Sequence, residues 1–431
     1  MERGDTDDTA LGRTIWWRLV PFLVILYVIA IIDRVNIGYA ALTMNADLGI
    51  GPQAFGFISG IFFLSYVICE VPSNQFLVRT GSRIWLTRIM VCWGFITLLM
   101  AFVRTPAELA ILRFLLGAAE AGLTPGIMLY LTFWFPKNRL SRAIAVFSIA
   151  IPLAMVIASP ISTLILTHAT WAGLAPWRWL FVIEGIPAII FGALILVFLP
   201  DSPRDAAWLS GPQRARLMTE LGVDRVKNET PRSIPFSQIG KTPGVLLFCI
   251  SSFLVGLFLT SLLFWIPKIV DSSGLSGSLF QTGLLVMIPY ALSAVAMYVW
   301  ACHSDRSDER RWHIAGPFLA AAGFLVLLAL PTGPLAGFLL LTGAITACHM
   351  TFAPFFALTL ESFAPGTRPA GVAFVNAIAS TGSFTGPVIL GLAGGDLASP
   401  AISALFLLLG IAIGACAILI IRSGTGTIPV T

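Results

Sequence analysis

The sequence predicts an all-α integral membrane protein of twelve helices, grouped as two sets of six with a polar linker between them. Three observations carry this prediction. Of 431 residues, 57% are hydrophobic and 11% charged, whereas a soluble domain has about 25% charged residues. Mean hydropathy is +0.90. The apolar residues come in unbroken runs, such as 244–266 and 401–421, of about 20 residues, the length a helix needs to cross hydrocarbon. Barrel strands would instead alternate apolar and polar residues over about ten positions.

Taken in order, the predicted spans are 16–41, 54–78, 84–103, 108–133, 141–167 and 177–199, then 244–267, 279–301, 313–331, 335–360, 369–393 and 400–421. The chain thus divides into an N-tail (1–15), a first bundle (16–200), a linker (201–243), a second bundle (244–422) and a C-tail (423–431). Six spans, a linker and six more is the layout of a two-repeat transporter. The opening residues are polar, and the first apolar run is too long for a secretory leader. All six cysteines read as small packing residues, since none forms a CxxC pair.

Orientation follows from the basic residues. With the N-terminus inside, 21 of the 26 Lys and Arg fall in inner segments and three (Arg104, Arg178, Lys268) in outer loops. Both termini and the linker are therefore expected in the cytoplasm. These inner cations account for the net charge of +5, and no nucleic-acid partner is implied. The halves also echo each other. A basic hairpin with Arg79 and Arg83 joins spans 2 and 3, and another with Asp305, Arg306, Arg310 and Arg311 joins spans 8 and 9.

Ionisable groups inside spans are costly and mark pathways. Here they are Asp33, Arg34, Arg113 and Glu120, with Glu70 near the inner end of span 2. Arg113 and Glu120 are seven residues apart, so they share a helix face and differ in depth by about 10 Å. By the same rise per residue, Arg34 and Arg113 come out at one depth, and Glu120 deeper. Two guanidiniums at one depth suit a carboxylate, which each can bind through a planar fork. Asp33 and Glu120 suit proton carriage. A substrate on the arginines weakens their hold on the acids, so anion and proton binding are coupled. In this scheme Glu120 is the main proton site, and Asp33 is a second site or Arg34's fixed partner. The plainer alternative is a set of structural ion pairs. Coupling also has an energetic motive, because bringing a negative charge into a negative interior costs about 2.3 kcal/mol per 100 mV.

Asp33-Arg34-Val35-Asn36, Phe62-Phe63-Leu64-Ser65-Tyr66, Arg113 to Gly122, Trp134-Phe135-Pro136, and Trp177-Arg178-Trp179-Leu180-Phe181 with Glu184-Gly185 together give a sequence that resembles the major facilitator superfamily. Within it, the chain is similar to the anion:cation symporter family, which includes bacterial sugar-acid and aromatic-acid permeases and vesicular glutamate carriers. The resemblance implies the major facilitator fold, with two bundles rocking about a central cavity, in a bacterial inner membrane. It also implies that Tyr66 and Asn376 face the substrate, and that Asp305 and Arg306 work with Arg79 and Arg83 as an inner gate. Val78 departs from the pattern, standing where an acid usually precedes the arginine. Ile31 replaces a tyrosine, and Ile151 and Pro152 replace a polar position. Both changes favour an aromatic or short-chain acid over a polyhydroxylated one, with a sugar acid or a tartrate-type dicarboxylate as the alternative.

His349 reads as a packed histidine. Phe352, Phe355, Phe356 and Trp265 could form an aromatic wall, and Gly382, Gly386 and Pro387 read as close packing and a bend. No phosphate loop, metal-spaced His/Cys set or nucleophilic triad is present in the sequence, so an enzyme, ATP drive and a resident metal are all disfavoured. No cofactor is expected beyond a co-transported H⁺. The expected partners are a small organic anion and the lipid bilayer, and the chain is expected to act as a monomer. An uncoupled facilitator or exporter is the remaining rival.

Overall fold

In lipid every backbone N–H and C=O has to be bonded within the chain, which makes helices the outcome of long apolar runs. The computed structural model describes residues 2–148, 150–221, 243–363, 368–395 and 399–422. Among these, twelve helices are long and apolar enough to cross a membrane. Spans 1 to 6 are Leu11–Asp47, Pro52–Leu77, Ser82–Met100, Pro106–Thr132, Ala150–His168 and Pro176–Phe198. Spans 7 to 12 are Val245–Ser272, Leu279–Ser307, Arg311–Leu328, Pro334–Thr359, Gly371–Leu392 and Pro400–Arg422. The remainder of the linker (222–242) and the C-tail (423–431) lie outside the described residues.

Three local differences from the sequence reading have clear causes. The first helix begins at Glu2 rather than near residue 16. Its Leu11, Ile15 and Leu19, spaced at i, i+4 and i+8, are all buried, so the supposed tail extends the helix. The start of the linker is docked rather than free. Trp208 stacks on Trp134, and Arg18 lies 5.1 Å from the Trp208 ring. Ser210 then opens a short helix, Gly211–Glu220, with a reciprocal capping box to Gln213. Finally, spans 4 and 10 are each broken at mid-length. Span 4 stops at Glu120 and restarts at Leu123, with Gly122 at φ 92°. Span 10 stops at Met350 and restarts at Phe352. Broken helices at membrane depth occur where protein or a cavity surrounds them.

Small residues set how closely the helices approach. Gly117 of span 4 lies on the Phe62 carbonyl and Ser65 hydroxyl of span 2. In the second half, Gly382 and Gly386 of span 11 lie on the backbone of Phe253 and Leu257 in span 7. This is the packing role read from the sequence.

Among the described residues, the close backbone contacts between the two bundles lie at one end. Span 2 touches span 11 through Pro52 against Gly391, Gly56 against Pro387, and Gly60 against Phe384. Span 5 touches span 8 through Ser159 and Thr163 against Gly283, and Gly38 of span 1 lies on the Phe264 backbone of span 7. All these contacts lie toward the loop joining spans 1 and 2. The same stripes, continued along the helices, become open. Leu64 and Ile68 on span 2 are exposed, and so is Asn376 on span 11. The molecule is therefore closed at that end and open at the end carrying the termini.

Gly56 tests this geometry, because a Cβ there collides with the Pro387 carbonyl and comes 3.0 Å from the Gly391 Cα. Gly56→Leu is expected to shift the population away from this state while leaving both bundles folded. A single cysteine at position 376, in a background lacking the native cysteines, should then react several-fold more slowly with a water-soluble alkylating reagent.

Candidate functional site

The site is organised around Phe62 of span 2. Both arginines lie over its ring, Arg34 Cζ at 5.4 Å and Arg113 Cζ at 5.0 Å from the centroid. Gly117 permits this, since it brings span 4 onto the span-2 backbone at Phe62. Arg34 also lies 5.6 Å from the Tyr66 ring, one turn along span 2. Arg113 lies 5.7 Å from the ring of Phe264, which comes from span 7 of the opposite bundle.

The two cations are in different electrostatic states. Arg34 donates to Glu120 in a direct ion pair. Its side chain is 17% exposed, while that of Glu120 is fully buried. Arg113 is fully buried, and none of its three side-chain nitrogens has a hydrogen-bond partner. Aromatic rings cover it instead. Glu120 Oε2 and Arg34 Nε are likewise unpartnered. The cluster therefore holds two fixed positive charges and one carboxylate that touches only one of them.

Two expectations need correction. Arg34 does not sit a helix turn or more from Glu120, because its long side chain reaches down to pair with that acid. The rise per residue places Cα atoms and ignores such reach. Nor is Asp33 the fixed partner of Arg34. Neighbouring residues on a helix point in different directions, and Asp33 faces span 3. It accepts from Trp93 Nε1, from Thr97 Oγ1 at 2.9 Å, and from Asn36 Nδ2 at 3.1 Å. It is fully buried.

Two residues of this region were missed by the sequence reading. Tyr27 lies beside Thr124 and Arg34 and stacks on Phe147 at 4.3 Å. It precedes Ile31 by one turn, so the hydroxyl lost at position 31 has a substitute lower on the same face. The i, i+4, i+7 spacing of 27, 31 and 34 was the available signal. Glu184 of span 6 accepts from Ser162 Oγ at 2.7 Å, and its Oε2 is unpartnered. In the sequence it stands inside a motif noted only for family likeness.

The other candidates are more dispersed. Asn376 is exposed on the stretch of span 11 beyond the contacts with span 2, and its backbone carbonyl accepts from Ser380 Oγ at 3.1 Å. His349 bonds the Ile345 carbonyl at 2.8 Å and packs edge-on to Phe352. Phe355 packs on Phe248, and Phe356 is exposed. Trp265 is buried against Phe55, in the end where the bundles meet. An apolar crevice of about 560 Å³ between spans 2 and 4, lined by Phe57, Ile61, Ile111 and Phe114, holds none of these charges.

Among the described residues, no contact joins Arg79 or Arg83 to Asp305 or Arg306. Each loop is fastened within its own bundle. The Arg83 backbone N–H donates to Asp201 at 2.8 Å and its guanidinium to the Leu196 carbonyl. Asp305 pairs with Arg310 at 2.5 Å. Beside that pair, His303 and His313 share a hydrogen bond of 2.7 Å, and His313 meets Glu309 at 2.8 Å. Burial pushes the Glu309 carboxyl up, but the N–H groups of Trp312 and His313 outweigh it and hold the carboxyl below the usual range. The separation of the four residues expected to form a gate follows from the open end of the molecule.

Two bundles of six spans, closed at one end around buried cations, define a membrane transporter built from two repeats. Residues 23–358 match the Major Facilitator Superfamily, and the chain belongs to that family. A protein of Agrobacterium vitis named "Putative tartrate transporter" is 40% identical over 88% of this chain and 84% of its own length. The "Quinolone resistance transporter" of Acinetobacter baumannii is 35% identical over 88% of this chain and 87% of its own length. The crystal structure of a D-xylose-proton symporter superposes with a TM-score of 0.77 at 15% identity, covering 96% of this chain and 98% of that one. At that identity the likeness concerns the fold alone.

The unequal pairing of the arginines gives a sharp stability contrast. Removing one partner of a buried ion pair costs about 3–5 kcal/mol, so Arg34→Met should lower the thermal unfolding temperature of the detergent-solubilised protein by several degrees. Arg113→Met removes a charge that has no counter-ion here, and should leave that temperature unchanged or raise it.

Proposed function

We propose that the chain imports a small organic carboxylate together with protons, by alternating access of its two bundles. One observation carries this reading: Arg113 is fully buried with all three side-chain nitrogens unpartnered, beside a second arginine over the same ring. An arginine does not lose its proton to escape burial. A cation held this way is matched by an anion that comes and goes.

The coupling follows from the shared charges. In the empty site Glu120 is ionised against Arg34. An incoming carboxylate takes Arg113 and competes for Arg34. Glu120 then loses part of its cation, and a proton on Glu120 restores balance. When the anion leaves, Arg34 reclaims Glu120 and the proton is released. One proton per monoanion makes the cycle electroneutral, and additional protons make it potential-driven.

For the substrate, two guanidiniums over one ring suit a short diacid, and the Agrobacterium relative's name points to tartrate. Tyr27 and Tyr66 supply hydroxyls beside Arg34 that hydroxy groups of such an acid could meet. A second reading, an aromatic acid, is favoured by Phe62 and Phe264 around Arg113. The name of the Acinetobacter relative keeps outward transport as the rival direction. The basic-residue asymmetry supports an orientation with the termini and the open end in the cytoplasm, and the bacterial relatives support a bacterial inner membrane. The path runs between the two bundles of one chain, so a monomer suffices.

The test is uptake of labelled tartrate and of a labelled aromatic acid into proteoliposomes under an imposed pH gradient. Wild type should concentrate one of them only when the outside is acidic. Glu120→Gln should retain counterflow and lose the response to the gradient. Arg113→Lys should weaken apparent affinity at least tenfold, since about 1.4 kcal/mol of lost bidentate bonding gives that factor. Uptake by wild type that ignores the gradient would remove the proton from the scheme.

A further inference from the structure

Behind the arginines, on the far side of span 1, lies a second buried polar chain that the mechanism above leaves unused. Asp33 accepts from Asn36 Nδ2 at 3.1 Å. The Asn36 amide also faces Glu184 of span 6, whose Oε1 accepts from Ser162 of span 5 at 2.7 Å. Asn36 and Asp33 are fully buried and Glu184 is 6% exposed. Two polar atoms inside this chain are unpartnered, Asn36 Oδ1 and Glu184 Oε2.

We propose that Asp33, Asn36 and Glu184 form a proton-binding site that holds one proton between its two carboxyl groups. An ionised pair would place two negative charges in one dry cluster. The ionisable groups facing it are Tyr39 on span 1 and, at longer range beside Asp33, Arg113 and Glu120 on span 4. Among the described residues, the groups that spans 3 and 5 bring to it are neutral: Trp93, Thr97, Ser159 and Ser162. Arg34 is committed to Glu120. Two like charges so placed do not both ionise, and one proton between them relieves the repulsion.

The hydrogen-bond inventory says where that proton sits. Asp33 already receives three donors, which suits a carboxylate. Glu184 receives one donor on Oε1 and none on Oε2, which suits a carboxylic acid. Its Oε2–H then has an acceptor in Asn36 Oδ1, and both unpartnered atoms are satisfied by one hydrogen. Rotating the Asn36 amide by half a turn gives the mirror arrangement, with its N–H₂ toward Glu184 and its oxygen toward Asp33. In that arrangement the proton belongs on Asp33. The primary amide, one end a donor and the other an acceptor, thus accommodates one proton on either side and disfavours both zero and two. The site's participation in transport rests on the proton-coupled reading above; its occupancy by a proton does not.

The experiment is infrared spectroscopy of the purified, substrate-free protein at pH 7, read at the C=O stretch of protonated carboxyl groups. Wild type should show a band that Glu184→Gln abolishes. Ser162→Ala, which keeps every charge, should shift that band because the Glu184 C=O loses its donor. If Glu184→Gln fails to fold, the Ser162→Ala shift decides. Protonated-carboxyl bands that neither variant changes would overturn the proposal, whatever the transport assays show. A Glu184 band in a protein whose uptake ignores pH would support the site and sink only its coupling to transport.

Discussion

The constraint on which the structure depends is that a guanidinium stays charged wherever it is placed. Two of them sit at the heart of this membrane protein, and the surrounding helices are arranged to make that tolerable. Glu120 meets one. The other is covered by aromatic rings, a cation–π arrangement worth about 2 kcal/mol when water is excluded. A charge-assisted, two-pronged bond to a carboxylate is stronger. The resting site thus gives Arg113 a weak partner, and the proposed carboxylate substrate would supply a strong one. Phe62 holds both cations because Gly117 lets span 4 lie on its backbone, so a residue without a side chain fixes the spacing of the charges.

The same arginine ties binding to closure. One of the rings covering Arg113 is Phe264, from the opposite bundle, and it sits in the end where the bundles meet. Next to it, Trp265 packs on Phe55 and Lys268 lies 5.6 Å from the Trp265 ring. In the proposed alternating-access cycle, opening that end withdraws Phe264 and uncovers Arg113 toward the span-1/span-2 side. Access to the unpaired cation and the position of the gate are therefore one variable.

Much of this was legible in the sequence, and the limit has a physical form. Composition and run length gave twelve spans, because a bilayer imposes length on any helix that crosses it. Charges inside apolar runs stood out because they are costly there. The sequence also gives depth and face along a single helix, which put Arg113 and Glu120 together. It does not give how one helix is rotated against its neighbours. Of the two roles the sequence suggests for Asp33, a second proton site or Arg34's partner, the partner role fails because Asp33 turns toward Trp93 and Thr97. Glu184 does not stand out in the sequence because a lone acid two turns into an apolar span has no visible partner until Ser162 and Asn36 arrive from other helices. The breaks after Glu120 and Met350 were hidden for a similar reason: apolar composition continues through them, and only Gly122 hints at the first.

The two polar systems of the first bundle divide the work of holding charge on opposite sides of span 1. Arg34 at position 34 points to the cavity, and Asp33 at position 33 points into the bundle, so one helix carries both. A carboxylate on the inner side is stabilised by neutral donors alone, which fixes its hydrogen bonds without cancelling its charge. Its field therefore still reaches Arg113, the cation that lacks a partner of its own. In the proposed cycle, a change of protonation behind span 1 acts on Arg113 in front of it through Coulomb interaction across a dry helix interface, where screening is weak.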